Sequence, residues 1–525
     1  MLMGSIVRSY GHITVSLART AELRRLYSVL LFLALFLGDI APARAEVQLD
    51  GLFSRSAVLQ QGMPVPVFGT AEDGERVSVT LQDRREETVA KDGRWRVELE
   101  PLEAGGPYEL RVSGATSLTV PEIYVGEVWV CAGQANMQWN VFNSKGSTSA
   151  LISPSNRELH FFTVERKAST EPKWDNTPNW SAANAATIAN FSAVGYYFGR
   201  DIQTQRKVPV GLINCSHFLS NAEAWTDRES IAAQPELKRI VDDVLPDRQD
   251  VQTPGTLFNG MLDPISQYAV RGVIFYQGEN NIDHADEYQK LLMTLIGDWR
   301  RAWNKPELPF LFVQIAPFRP VTTTSNESKF AALREAQLRA WQATPHTAMI
   351  VTTDFGDARS LQPGEKEPIG RRLALAARAV AYGEKIEYSG PVFRSHKTIK
   401  NQLILEFDHV GGGLQAGPSS IATTVGSATK SGTVKPASST SKSVKLVGFS
   451  IAGSDGVFVP AEATIEDNTV VLSAEAVTKP TAARYGWSDF PVCNLYNREG
   501  LPASPFRTDA PAADVKGLIQ SLFQK

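Results

Sequence analysis

Short segments that alternate apolar and polar residues dominate the chain from Val47 to Val120. Turn signals rich in Gly and Asp separate them, and the segments themselves are VPVFG, RVSVTLQ, GRWRVELE and YELRVSG. Alternation with a period of two is typical of strands with one buried face. The pattern therefore predicts a small β-sandwich domain over residues 46–120.

The pattern changes from Pro121 to about Gly383. Near-continuous apolar runs, typical of buried parallel strands, are EIYVGEVWVCAG, VPVGLIN, AVRGVIFYQG, LPFLFVQIA and TAMIVTTDFG. Helix-like segments between them are AVGYYFGRDIQTQ, ADEYQKLLMTLIGDWRRAW, KFAALREAQLRAW and IGRRLALAARAVAYG. Strands that alternate with helices predict an α/β domain over 121–385, in which helices cover both faces of a doubly wound parallel sheet in three layers.

Segments with strand patterning return from Ile386 onward. They predict a second β-rich domain over 386–480, interrupted by a Gly/Ser/Thr/Lys-rich stretch at 417–443 that is typical of a surface loop. The final segment, 481–525, is expected to return to the α/β domain.

The first 45 residues have the features of an export signal. Four arginines precede an apolar run of 13 residues, Leu26–Gly38, and Ala43-Arg44-Ala45 follows as a small-x-small cleavage pattern. The run is short for a bilayer core of about 30 Å. We therefore expect a signal peptide over 1–45 and an exported protein, periplasmic or extracellular; an uncleaved membrane anchor is the alternative.

Composition narrows the function classes. The chain has 525 residues, 43% of them hydrophobic, and a net charge of -3, which excludes a disordered chain and gives no basic field for nucleic acid. Its three cysteines (Cys131, Cys215 and Cys493) have apolar flanks and no metal-ligand spacing, so we expect them in the core. No metal or organic cofactor is expected.

Polar residues cluster at three expected strand ends. These clusters are Gly133–Gln138, Tyr276–Asn281 and Asp354–Asp357. Ligands bind at the carboxyl ends of parallel strands, and side-chain amides there can donate to sugar hydroxyls or to an oxyanion. Alternatively, such amides only cap helices and turns. Three clusters on one sheet favour a binding site.

Long blocks of the chain resemble the sialate O-acetylesterases, carbohydrate esterases with the SGNH-hydrolase fold. GEVWVCAGQANMQW is similar to the family's GEVW-x-C/A-S-GQSNM-x, VGLINCSHFLSNAEAWT to VGLI-x-SSWGGTPAEAWT, and GVIFYQGENN to GVIWYQGESN. DFGDARSLQPGEKEPIGRRLALAA is similar to DLGD…DIHPxxKxxVGxRLAL, and both flanks match. The resemblance implies an SGNH-type three-layer sheet with flanking β-sandwich domains and hydrolysis of acetyl esters on sialic acid or related sugars.

The departures from the family pattern fall on its catalytic positions. Active members use a serine nucleophile, a histidine base and an orienting aspartate. Here the matching positions hold Ala135, Gln362 and Ser360. A methyl group cannot attack a carbonyl, and a carboxamide does not titrate near neutral pH. The glycine block of the family's oxyanion site reads His217, Phe218 and Leu219, where side chains are expected to obstruct a close backbone approach.

Groups suited to binding survive at the other matching positions. The candidates for oxyanion or substrate contacts are Gln134, Asn136, Gln277, Glu279, Asn281 and Arg484, and aromatic residues suited to sugar stacking are Trp129, Trp139, Tyr276 and Trp487. The chain is thus expected to be a glycan-binding pseudoenzyme whose partner is an O-acetylated sialic acid or a related glycan, with no nucleic-acid partner and no membrane contact after signal cleavage. The alternatives are an esterase that uses a displaced nucleophile or base, such as Ser360 or His217, and a scaffold with an empty pocket.

Overall fold

The computed structural model describes residues 46–152, 156–177, 179–244, 250–321, 327–418 and 444–509. The expected signal segment 1–45 and all but the first two residues of the loop expected at 417–443 lie outside these ranges, as do residues 510–525.

The N-terminal part of the described chain is built from β-strands: β1 (Gln48–Leu49), β2 (Val58–Gln60), β3 (Val65–Thr70), β4 (Arg76–Leu81), β5 (Arg84–Val89), β6 (Arg94–Leu99), β7 (Gly105–Ser113) and β8 (Ser117–Gly133). Strands β1, β3 and β6 form one antiparallel sheet, and β5, β4, β7 and β8 pair antiparallel in another. Val67, Val79 and Val112 are buried in one core, as a β-sandwich requires.

The next part alternates helices and strands: α1 (Ala135–Gln138), α2 (Ser147–Leu151), β9 (Asn156–Thr163), β10 (Ser181–Ala183), α3 (Ala185–Asn190), α4 (Ala193–Arg206), β11 (Val210–Ser216), α5 (Arg228–Ala232), α6 (Lys238–Asp242), α7 (Asp263–Ser266), β12 (Gly272–Tyr276), α8 (Ala285–Ala302), β13 (Phe310–Val313), α9 (Lys329–Ala343), β14 (Thr347–Ile350) and α10 (Glu367–Val380). Shorter helical turns lie at Gly51–Phe53, Ala222–Trp225, Phe258–Leu262 and Glu279–His284. The strand order is β10-β9-β11-β8-β12-β13-β14, and the apolar runs predicted as strands form its parallel core.

The central sheet is mixed, whereas the sequence predicts a parallel one. Strand β10 pairs antiparallel with β9 at one edge. Strand β8 is 17 residues long, and its first half pairs with β7 and β2, while its second half, from Glu127 onward, lies between β11 and β12. Because one strand serves both regions, a sheet of the N-terminal sandwich continues into the central sheet, and β8 crosses the domain boundary expected at residue 120. The division into domains otherwise stays a prediction.

Helices cover both faces of the central sheet. On one face, α4 and α10 pack over side chains such as Trp129 and Ile274. On the other face, α8 and α9 pack over side chains such as Val130 and Phe275. Residues that alternate along each strand therefore enter two different cores, which explains why these strands are apolar throughout. Cys131 and Cys215 are buried on opposite faces, as their apolar flanks predict.

Local signals fix the ends of the longer helices. Ser192 caps α4 by accepting a hydrogen bond from the backbone N–H of Gly195, and Ser328 caps α9 in the same way from Ala331. Helix α8 has acidic residues in its first turn and the arginines Arg300 and Arg301 in its last, which complements the helix dipole.

The C-terminal part consists of strands: β15 (Val392–Ile399), β16 (Gln402–Asp408), β17 (Leu414–Ala416), β18 (Phe449–Ala452), β19 (Val459–Pro460), β20 (Glu462–Glu466), β21 (Thr469–Ser473), β22 (Ala482–Tyr485), β23 (Leu495–Asn497) and β24 (Phe506–Arg507). They form two four-stranded sheets, β15-β16-β21-β20 and β19-β18-β22-β24, and the pair β17-β23, all antiparallel. The guanidinium of Arg334 in α9 donates to the carbonyls of Ser488 and Asp489, and this contact joins the C-terminal part to the α/β region.

Within the described ranges, no helix is long and apolar enough to cross a membrane. The same residues contain no cluster of His, Cys, Asp or Glu with the geometry to hold a metal ion.

A buried histidine on β9 makes the stability of the fold sensitive to acid. The ring of His160 packs 4.4 Å from that of Tyr124, and burial lowers its pKa from 6.5 to about 4. Between pH 6.5 and about 4, His160 therefore binds a proton in the unfolded chain but not in the folded one. The native protein should therefore lose up to about 3 kcal/mol of unfolding free energy between pH 6.5 and 4 because of His160. In His160→Phe we expect this pH-dependent loss to be absent, as measured by urea unfolding across that range. The exposed His396→Phe is the control; an equally steep pH profile in both variants would contradict the assignment.

Candidate active site

The chain turns sharply where β8 ends, and this turn places the start of α1 against β12. Gly133 has a φ of +128°, and a Cβ there would lie 2.2 Å from the carbonyl oxygen of Tyr276. The next residue, Gln134, donates its backbone N–H to that same oxygen at 2.9 Å. Its side-chain Oε1 accepts from the N–H of Gly278 at 3.2 Å. A glycine is thus required at 133 by both conformation and space.

Ala135, the position of the family's nucleophile, is the first residue of α1. It is 4% exposed, so its methyl group lies almost wholly within the protein at the end of β8.

Asn136 joins three separate stretches of the chain at this point. Its Nδ2 donates to Oε1 of Glu279 at 2.5 Å and to the carbonyl oxygen of Leu361 at 2.9 Å. Its Oδ1 accepts from Nζ of Lys366 at 2.5 Å. Since Leu361 stands between Ser360 and Gln362, the Asn136 amide holds the segment that carries both substituted positions against α1.

Lys366 and Glu279 form the charged part of this network, and both are buried. Burial lowers the pKa of Lys366 to about 7, with the nearby Glu279 charge opposing that shift. Burial raises the pKa of Glu279, while the Asn136 hydrogen bond and the Lys366 charge pull it down. The Lys366 nitrogen also lies 5.9 Å from the ring centre of Trp139 and 5.7 Å from that of Tyr276, where ring faces favour a cation.

Ser360 and Gln362 interact mainly within their own turn. The backbone N–H of Gln362 donates to Oγ of Ser360 at 3.1 Å, and that hydroxyl donates to the Gln362 carbonyl at 3.2 Å. The Ser360 hydroxyl is therefore used to stabilise a local turn.

Gln277 and Asn281 form a second network on the β12 side. Nε2 of Gln277 donates to Oδ1 of Asn281 at 2.7 Å, and Nδ2 of Asn281 donates to Glu223 at 2.8 Å. The backbone N–H of Ala222 donates to the same Asn281 oxygen, and the Tyr288 hydroxyl donates to Oε1 of Gln277. Both amides order the protein itself; whether they also contact a ligand stays a prediction.

The altered glycine block forms a loop that begins beside Gly133. The backbone N–H of His217 donates to the Gly133 carbonyl at 2.9 Å, and the His217 ring lies 2.8 Å from the Phe218 carbonyl. Asn280 donates to the carbonyl of Leu219, whose φ of +60° is a left-handed conformation that leucine rarely adopts. Phe218 and Leu219 are 48% and 51% exposed, so both present apolar surface to solvent.

The contacts of Arg484 are made within the C-terminal part of the chain, and they include Trp487, another predicted binding residue. Arg484 lies on β22 and forms an ion pair with Asp509 at 2.7 Å. Its guanidinium lies 4.0 Å from the ring centre of Phe458 and 5.7 Å from that of Trp487. Of the aromatic candidates, Trp129 is fully buried in the core beneath α4.

Sequence reasoning missed Lys366. The available signal is its place in GEKEPIG, where the family block also has a lysine. A lysine between two glutamates is usually solvent-exposed, so the charge pattern alone does not indicate burial.

The comparisons with known proteins agree with this architecture. The family model for carbohydrate esterases described as sialic acid-specific acetylesterases matches residues 125–378. A carbohydrate acetylesterase from Xanthomonas citri is 35% identical, with a TM-score of 0.78 over 89% of this chain and 100% of that one. The sialate O-acetylesterase of Mus musculus is 28% identical over 414 residues, 65% of this chain and 75% of its own. That of Homo sapiens is 29% identical over 369 residues, 62% of this chain and 69% of its own.

These similarities show that the protein is of the carbohydrate esterase class. Its architecture is a central mixed sheet with flanking antiparallel sheets. Within that class, the chain belongs to the sialate O-acetylesterase family, as its sequence motifs predict.

The buried charge pair offers a test of the Asn136 network. Lys366→Met removes the amine that donates to Oδ1 of Asn136 and leaves that oxygen without this partner, so we expect a loss of about 1–3 kcal/mol of unfolding free energy near pH 8, where an amine with a pKa of about 7 is already mostly neutral. The loss should shrink near pH 5, because below a pKa of about 7 the folded native protein must bury a charged amine, a cost that the variant does not carry. Urea unfolding at both pH values measures it.

Glu279→Gln combined with Lys366→Met is the matched control. The double variant should cost less than the sum of the two single variants, because it leaves no unpaired buried charge. Additive losses would show that the two side chains do not interact.

Proposed function

We propose that this chain is a catalytically inactive member of its family that binds an O-acetylated glycan. The observation that carries the proposal is that Ala135 stands at the start of α1 in an otherwise ordered site, next to the segment that bears Gln362. The network around Asn136 holds both stretches in place.

Acetyl-ester hydrolysis by the family route needs a nucleophilic oxygen and a base that removes its proton. Ala135 provides only a methyl group, and the Gln362 carboxamide does not titrate. In serine hydrolases the loss of either group alone costs on the order of 10⁶ in rate, about 8 kcal/mol of barrier.

Neighbouring groups are poorly arranged to replace them. The Ser360 hydroxyl is held in its own turn, and the His217 ring lies beside the Phe218 carbonyl. Lys366 is fully buried with its amine bonded to Asn136, so water and substrate do not reach it. An esterase with a displaced nucleophile or base remains the competing function.

Binding of a glycan depends on groups that this chain shares with the family motifs. Gln134 and Asn136 keep the turn after β8 ordered, and the backbone N–H of Ala135 remains at the former nucleophile position. The exposed ring of Phe218 adds an apolar surface of the kind that packs against a sugar face. The carbohydrate acetylesterase from Xanthomonas citri and the sialate O-acetylesterases support an acetylated sugar as the ligand class.

The proposal includes two further expectations from the sequence. One is that the sheet is of the SGNH type, which is supported by the parallel order β9-β11-β8-β12-β13-β14 with the nucleophile position at the end of β8. The other is export through residues 1–45, supported by the signal pattern in the sequence.

Acetate release from an O-acetylated sialic acid tests the loss of activity. The purified protein should release acetate no faster than buffer. The triple variant Ala135→Ser, Ser360→Asp and Gln362→His should exceed the parent by at least about 100-fold, because positioned proton transfer alone contributes that much.

Ala135→Val with the same two other changes controls for altered folding, since it lacks the nucleophile. Acetate release by the parent itself, with contaminating esterases removed, would contradict the proposal and favour the displaced-group alternative.

Ligand-dependent thermal stability tests binding. An O-acetylated sialic acid at about 100 times its Kd should stabilise the protein by roughly 2.7 kcal/mol, and the same sugar without the ester should stabilise it less. Phe218→Ser should weaken binding about tenfold, since a packed aromatic ring contributes on the order of 1 kcal/mol. Trp174→Ser, which removes an exposed ring beside Arg94, should leave it unchanged. No stabilisation by either sugar would leave the empty scaffold as the better description.

A further inference from the structure

A cavity of about 640 Å³ lies at the edge of the central sheet opposite to the candidate active site. Its walls come from α5, the second half of α8, the turn that follows α8, and the end of α9. Strands β13 and β14 begin near this edge, whereas the candidate site lies where β8 and β12 end. The volume is in the range of pockets that hold small molecules, about 300–1,000 Å³.

The walls of this cavity combine apolar side chains with the guanidinium of a buried arginine. Met293, Ile296 and Ala343 are among the apolar groups that line it. Arg300 lines it as well and is only 7% exposed. Pockets of this composition bind ligands that are largely apolar and carry one group placed to meet a specific polar partner.

The guanidinium of Arg300 is only partly satisfied by the protein. Nε and Nη2 donate to the carbonyl of Leu308 at 3.3 Å, and Nη2 also donates to those of Pro345 at 2.7 Å and His346 at 3.3 Å. Among the described residues, Nη1 has no acceptor and no carboxylate pairs with this arginine. Burial lowers its pKa to about 10. A buried positive charge thus lines the cavity without an ion-paired carboxylate, and the charge of Glu307 only partly offsets the effect of burial on the pKa of Arg300.

Gly297 provides an independent sign that the space serves a ligand. It lies inside α8 and lines the cavity, and a Cβ there would meet only the Arg301 guanidinium, at 3.6 Å. A glycine within a helix costs about 1 kcal/mol relative to alanine. Neither backbone conformation nor packing requires a glycine here, so its effect is to leave the cavity wall open.

We propose that this cavity binds a small amphipathic monoanion, a carboxylate on an apolar body, whose charged group meets Nη1 of Arg300. The second arginine that lines the cavity, Arg301, is paired with Asp298, so a single negative charge matches the remaining guanidinium of Arg300. A doubly charged phosphate would enter with an excess charge that the apolar walls do not compensate. The apolar body packs on Met293 and Ile296 and over Gly297. This site is separate from the proposed glycan site and does not depend on it.

The Met293 methyl group is a local reporter for the test. In protein with ¹³C-labelled methionine methyl groups, octanoate should shift the Met293 signal saturably, and Met293→Leu assigns that signal. Octylamine has the same apolar chain with the opposite charge and should cause no saturable shift; octanol, which is neutral, should bind at least about tenfold more weakly than octanoate.

Two substitutions at one position separate binding in the cavity from binding elsewhere. Gly297→Phe should fill the space and weaken octanoate binding at least about tenfold. Gly297→Ala, the matched control, should retain binding within about threefold and raise thermal stability, because alanine favours the helix.

Three outcomes would overturn the proposal. One is the absence of a saturable Met293 shift with octanoate, and another is equal binding of octylamine. The third is unchanged octanoate binding in Gly297→Phe while the variant remains folded.

Discussion

The continuity of strand β8 is the constraint on which the rest of the architecture depends. Its first half completes a sheet of the N-terminal sandwich, and its second half is the centre of the parallel strands. Strands β11 and β12, which lead into two parts of the candidate site, pair directly with this second half. The turn at Gly133, the start of α1 and the loop at His217 all begin where β8 ends, so the N-terminal sandwich and the site are parts of one hydrogen-bonded framework.

The Asn136 amide has the same role on a smaller scale. It holds together residues that are more than 200 positions apart in sequence. None of its direct partners stands at the position of the family's nucleophile, base or orienting acid. Changes at Ala135 or Gln362 therefore leave the structural network intact. The site can lose its chemistry without losing its shape, which is why a folded and non-hydrolytic member of the family is physically reasonable.

Much of the fold follows from local patterns, but contacts between distant segments do not. Helices α8 and α9 begin where the sequence predicts them, because their apolar periodicity and caps are local. Strand β8 is harder to predict as one strand, because its pattern changes from alternating to wholly buried residues along its length. Such a change is also typical of a domain boundary. The motif of Arg484 does not predict its ion pair, because the carboxylate partner, Asp509, comes from another segment. Lys366 has charged neighbours in sequence, and only the three-dimensional structure shows that it is buried.

The loop at 217–219 has a thermodynamic consequence. Leu219 keeps a left-handed backbone at a cost of about 1–2 kcal/mol, and the carbonyls of His217, Phe218 and Leu219 are each engaged by a nearby side chain. The conformational entropy of this loop is therefore already lost in the unliganded protein. A ligand that contacts Phe218 meets a preorganised surface, and its affinity is reduced mainly by the ordering of the ligand itself.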